Sequence, residues 1–130
     1  MQKWLLSLAA LIVGFSGVSA FAKGEKIAQQ VCMACHASGV DKAPKIGDRE
    51  QWAPLIAEGQ VILTAHGYVG VRGMPPKGGK PDLTIEDFSA ALNHMVSKSG
   101  GHWKKADKVT LEAIKNEILA REIVRKNPNK

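Results

Sequence analysis

Cys32-Met33-Ala34-Cys35-His36 is the run on which the reading of this chain turns. Two thiols three positions apart lie about one helical turn from each other. Each can add to a vinyl group of a single haem while the adjoining imidazole points at the iron, and C-x-x-C-H is the spacing of c-type haem attachment. Other uses of the cysteine pair meet specific difficulties. A structural disulfide across so short a span is strained, and a thioredoxin-like dithiol needs a preceding strand and a βαβ surround that the flanks do not show. Zinc needs a second ligand pair at regular spacing, whereas His66, His94 and His102 are scattered singly.

Upstream of this run, Met1 to Ala22 carries Lys3, an apolar and small-residue stretch from Trp4 to Val18, then Ala20-Phe21-Ala22. A short basic start, an apolar middle and an A-x-A-like end describe a secretory signal peptide, with cleavage expected after Ala22. A retained anchor ranks second, because the apolar run falls short of the roughly 20 residues a spanning helix needs. Export suits the chemistry, since bacterial c-type haem is attached outside the cytoplasmic membrane. The expected location is the periplasm, where a nucleic-acid partner is excluded despite the basic balance. The remaining chain, about 108 residues, fits one small domain. So short a chain struggles to bury enough apolar surface, and a central haem supplies what the side chains lack.

The formal charge of +6 is unevenly spread. From Lys23 to Val96 the basic and acidic residues balance, so beyond Lys3 the whole excess lies after Ser97, where Lys98, Lys104, Lys105, Lys108, Lys115, Arg121, Arg125, Lys126 and Lys130 outnumber Asp107, Glu112, Glu117 and Glu122. This break divides the chain into a signal peptide (1–22), a haem domain (23–97) and a basic helical extension (98–130).

The rest reads as helices joined by Gly/Pro loops, with no repeat and no strand-like alternation. Gly24 to Ala34 is expected to form a first helix that delivers the cysteines from its last turn, followed by an irregular loop from Ala37 to Gly47. Asp48-x-x-Gln51 resembles a capping box opening a short helix to Glu58. Pro54 must either delay its start to about Ala53 or kink it. Gln60 to Tyr68 predicts a helix ended by Gly67 and Gly70. Val69 to Pro81 predicts a long irregular loop, which in a small domain points to function; Met74 lies inside it, followed by Pro75-Pro76. Thr84-x-x-Asp87 caps a helix to about Ser97 with Ile85, Phe88, Leu92 and Met95 on one face. Ser99-Gly100-Gly101 reads as a flexible joint. Beyond it, Asp107 to Lys126 is a helix with Glu117/Arg121 and Glu122/Lys126 pairs and two apolar patches: Leu111, Ile114 and Ile118 on one side, Val109, Ala113, Ala120, Ile123 and Val124 on another. One reading has the tail fold back and offer its outer side to an acidic protein or, weakly, to an anionic membrane; the other makes it a solvated extension that happens to be helical. On either, truncation after Ser97 leaves the haem spectrum nearly unchanged.

In that order, Cys32 to His36, Ala43-Pro44-Lys45-Ile46-Gly47-Asp48, Trp52-Ala53-Pro54 and Gly73-Met74-Pro75-Pro76-Lys77-Gly78-Gly79 resemble the small bacterial class I c-type cytochromes of the cytochrome c-five type. The resemblance covers Gly24 to Val96 and is silent on the tail. It implies an all-α fold wrapped on one haem c, covalent through Cys32 and Cys35, with His36 as proximal and Met74 as distal iron ligand. It further implies that the Pro44 carbonyl accepts from the second ring nitrogen of His36 and that Trp52 lies near the haem propionates. A thioether ligand favours reduced iron and raises the potential, and filled axial positions leave no substrate site. The expectation is therefore a non-enzymatic electron carrier, shuttling single electrons between a membrane donor and a terminal oxidase or reductase of a respiratory chain. The alternatives are a haem-bearing subunit of a periplasmic oxidoreductase complex and, should Met74 dissociate easily, a haem enzyme or gas sensor. Lys42, Lys45, Arg72, Lys77 and Lys80 are expected to rim the haem edge and steer an acidic partner.

Overall fold

The structure, a computed structural model, describes residues 18–128. Most of the expected signal peptide lies outside the described residues. The order is α1 (Val18–Ile27), a π-helical turn (Ala28–Cys32), α2 (Met33–His36), a 3-10 turn (Val40–Lys42), α3 (Arg49–Ala57), α4 (Gln60–Val69), a 3-10 turn (Pro76–Gly79), α5 (Ile85–Lys98) and α6 (Lys108–Lys126). Among the described residues no helix is long and apolar enough to cross a membrane.

The cysteines ride on a longer helix than the periodicity suggests. Backbone at the junctions stays right-handed helical, so α1, the π turn and α2 run on continuously to His36, the wider turn being closed by the Met33 N–H on the Ala28 carbonyl. Val18 to Ala22, expected to leave with the signal, continue the same helix. π turns of this kind concentrate at functional sites.

Two clusters form the core. In the first, Ala28 and Cys32 of the leading helix pack with Trp52 of α3 and Ala91, Leu92, Met95 and Val96 of α5. The leading helix and α5 approach closely because Gly24 has no side chain: a Cβ there would lie 2.4 Å from the Ala90 carbonyl oxygen. Lys23 adds an ion pair to Asp87 at 2.6 Å. The second cluster joins Ala65 and Val69 of α4 to Ile114 and Ile118 of α6, with Val61, Tyr68, Ile85, Ala106 and Leu111 around them.

Helix starts follow local chemistry. The Asp48, Thr84 and Asp107 side chains accept from the N–H groups of Gln51, Asp87 and Thr110, each satisfying one orphan donor of a first turn. α3 begins at Arg49 and passes through Pro54; the carbonyl that loses its partner belongs to Glu50, an exposed residue. Gly67 does not end α4, which continues to Val69.

The segment after Ser97 departs from expectation most. Ser99 is buried and its Oγ accepts from the Gly47 N–H at 3.0 Å. Trp103 packs on the first cluster, and the Lys104 carbonyl accepts from both Gln60 Nε2 (3.0 Å) and Asn93 Nδ2 (3.2 Å). A Cβ on Gly101 would meet Val96 Cγ1 at 2.3 Å. These glycines permit close packing, so the joint is a seam, and the break in charge at Ser97 is not a break in packing. On α6 the Glu117–Arg121 pair closes at 2.7 Å; among the described residues Glu122–Lys126 does not. Val109, Leu119, Ile123 and Val124 face solvent.

Gly24→Ala tests the contact of the leading helix with α5. Helix propensity favours Ala by about 1 kcal/mol, while overpacking costs about 1–3 kcal/mol, and here the clash is with backbone. The expected net loss is about 2 kcal/mol, read as a lower guanidinium midpoint at unchanged slope.

Candidate haem site

Cys32 and Cys35 are free thiols, the first buried and the second exposed. Burial pushes the Cys32 thiol up to about 11. One position on, His36 is buried, and its Nδ1 lies 2.8 Å from the Pro44 carbonyl. A carbonyl can only accept, so Nδ1 carries the proton and Nε2 is the nitrogen on which a lone pair can be offered. The intervening loop is bent to make this contact: Gly39 is left-handed, as are Asp41 and Lys42 (φ 51° and 65°). Ala43 is extended, as the residue before a proline must be. The Ile46 N–H returns to the His36 carbonyl at 2.9 Å.

Trp52 stacks obliquely on this arrangement, its ring centroid 6.1 Å from that of His36. Its indole N–H donates to the Lys45 carbonyl at 2.8 Å. Trp52 thus links the loop after Pro44 to the His36 ring.

Met74 closes a tight turn with Val71 through two backbone hydrogen bonds of 3.1 and 2.9 Å, with Arg72 left-handed (φ 52°) at its corner. The expected irregular loop is thus a series of hydrogen-bonded turns; in the next, Lys77 and Gly78 are both left-handed. The loop reaches the cysteine-bearing helix, since a Cβ on Gly78 would lie 3.3 Å from Val31 Cγ1. Nearer its start, a Cβ on Gly73 would lie 3.9 Å from the Asp41 carbonyl oxygen. Gly67 of α4 leaves space for the Met74 methyl and the Phe88 ring, which a Cβ there would meet at 3.5 and 2.7 Å. The four non-glycine residues with positive φ among the described residues are Asp41, Lys42, Arg72 and Lys77. Each costs on the order of 1 kcal/mol or more, and strain of this kind gathers at functional sites. All four lie on the two loops that carry Pro44 and Met74.

One group of residues around Met74 escaped the sequence reading. Tyr68 donates to the Leu83 carbonyl at 3.2 Å, meets Phe88 edge to face at 5.7 Å, and has Lys77 Nζ 4.7 Å above its ring. Lys77 also donates to the Pro81 carbonyl, and Lys80 pairs with Asp82. Two of the five cations expected to steer a partner are therefore engaged locally, while Lys42, Lys45 and Arg72 stay exposed. Only the isolated tyrosine next to Gly67 signals this group in sequence.

The donor set fits a c-type haem. Two thiols stand one turn apart, an imidazole offers Nε2, a neutral thioether is held on a loop that touches the cysteine-bearing helix, and the partly covered apolar side chains Val31, Ile46 and Leu63 lie around the Cys32 cluster. Among the described residues no three His, Cys, Asp or Glu side chains converge to hold a bare metal ion. Fold and site together define a c-type haem protein. The family described as cytochrome C oxidase, cbb3-type, subunit III matches residues 19–95. Cytochrome c-555 of Chlorobaculum thiosulfatiphilum is 42% identical over 82 residues, 60% of this chain and 95% of that protein. Cytochrome c5 of Azotobacter vinelandii is 35% identical over 74 residues, 55% of this chain and 89% of that one. A chain in the crystal structure of an electron transfer complex of nitrite reductase with cytochrome c aligns with a TM-score of 0.57 and 40% identity, over 59% of this chain and 94% of that one. The chain belongs to the monohaem class I cytochromes c, with c5 and c-555 as relatives. Its cofactor is covalently bound haem c, and it is an electron-transfer protein.

Haem stays with the polypeptide through acid-acetone extraction; release of all of it refutes attachment at Cys32 and Cys35.

Proposed function

We propose that this protein is a periplasmic one-electron carrier whose haem iron is held between His36 and Met74. The observation that carries the reading is the His36 Nδ1 hydrogen bond to the Pro44 carbonyl, which holds the ring in the tautomer that presents Nε2 to a metal. The haem supplies the one-electron ferric/ferrous chemistry. The chain limits how much moves when the electron arrives. His36 is fixed by Pro44 and packed by Trp52, and the Met74 backbone is pinned by its bonds to Val71 and stiffened by Pro75 and Pro76. The thioether favours the reduced state. An iron held by both His36 and Met74 would have no open position for substrate, which supports a carrier over an enzyme.

Redox partner proteins meet this chain near the two loops, where exposed Lys42, Lys45 and Arg72 favour encounter with an acidic surface in a salt-dependent way. The likeness to a cytochrome c crystallised with nitrite reductase supports a redox enzyme as that partner. A second reading, a haem-bearing subunit of a periplasmic oxidoreductase complex, is favoured by one observation, the exposed Val109, Ile123 and Val124 of α6.

Oxidised wild-type protein is expected to show the near-infrared methionine-to-iron band and, when reduced, to resist carbon monoxide. Met74→Ala abolishes the band, lowers the potential and admits carbon monoxide. Ready carbon monoxide binding by the wild type overturns the carrier in favour of an enzyme or sensor.

A further inference from the structure

α4 is a plate with Met74 on one side and α6 on the other. Ala65 and Val69, four residues apart, pack against buried Ile114 and Ile118 of α6. Gly67, between them in sequence, projects nearly opposite and faces Phe88 and the Met74 methyl. The methionine loop starts where this plate ends: Val69 is the last residue of α4, Gly70 turns the chain with φ 88°, and the bonds between Val71 and Met74 follow at once.

The last carbonyls of a helix have no partner within it. That of Val69 accepts a hydrogen bond from Arg125 Nη1, reaching across from the last turn of α6. The guanidinium also sits at the negative end of the α4 dipole, where a cation is favoured. Residues 56 positions apart in sequence are thereby joined at the root of the loop that carries Met74.

We propose that α6 is a positioning element for Met74: Arg125 fixes the end of α4 from which the methionine loop springs, and Ile114 and Ile118 hold α4 in place behind it. This rests on the reading of Met74 as the distal ligand. It reverses the expectation, drawn from charge and composition, that removing the tail leaves the spectrum unchanged.

The test uses full-length oxidised holoprotein titrated with imidazole, which competes with Met74 for iron, while the near-infrared band is followed. Loss of a charge-assisted hydrogen bond in Arg125→Ala is expected to tighten imidazole binding about tenfold or more. Arg125→Lys, which keeps a cationic donor, restores most of the wild-type resistance. Lys126→Ala removes the same charge one residue on and behaves as wild type. Arg125→Ala with wild-type imidazole affinity overturns the proposal, as does a lower denaturation midpoint with unaltered affinity, which would mark a purely structural role. Should wild type and Met74→Ala bind imidazole alike, the ligand assignment itself falls and the proposal with it. A difference between those two, with none for Arg125→Ala, removes the positioning role alone.

Discussion

The hydrogen bond between His36 and the Pro44 carbonyl is the constraint around which the rest of the chain is arranged. Meeting it forces the loop from Ala37 to Ala43 through three left-handed residues, a cost accepted because the following residues each gain a distant partner. Lys45 receives the Trp52 indole on its carbonyl and gives its N–H to Gln51. The Ile46 N–H returns to the His36 carbonyl, and the Gly47 N–H reaches Ser99. Four consecutive residues thus tie the imidazole to α3 and to the seam beyond α5. Each such bond contributes on the order of 1 kcal/mol, but their shared effect is geometric. The ring is held through Nδ1 and packed beside the Trp52 indole, and Nε2 is left without a partner among the described residues.

The side carrying Met74 is built differently. Its support combines packing with hydrogen bonds: Gly67 leaves room for the thioether methyl beside Phe88, Tyr68 bridges to Leu83 and Lys77, α6 backs α4, and the Met74 backbone is bonded to Val71. The His36 ring is held by a bond to the ring itself, whereas these contacts act on the Met74 backbone and on the end of its side chain.

What could be read in the sequence was what depends on neighbours in sequence. C-x-x-C-H is legible because two covalent bonds to one macrocycle fix the spacing of the thiols. The caps at Asp48, Thr84 and Asp107 are legible because the accepting side chain and the donating N–H lie three residues apart. The all-helical class followed from these. Glycine was the recurrent source of error. Gly67 looked like a helix stop and Gly100-Gly101 like a hinge, but Gly67 and Gly101 stand where another element presses close. A missing side chain reads the same in sequence whether the space is needed for motion or for contact, and the partners that decide it, Phe88 and Val96, are set by tertiary packing. Lys77 illustrates the same point for charge, since only the fold brings Tyr68 beneath it.

The burial of Cys32 bears on the order in which the molecule can be made. Cys32 is covered in a cluster with Ala91 and Leu92 of α5, so its sulfur is out of reach of a macrocycle once α5 has docked. A finished fold would therefore protect the sulfur from the addition that the cofactor requires. α5 lies more than fifty residues downstream, so a chain emerging from its N-terminus exposes both thiols well before the helix that covers one of them is available. That interval leaves both sulfurs open to the cofactor, and the docking of α5 on the leading helix closes it.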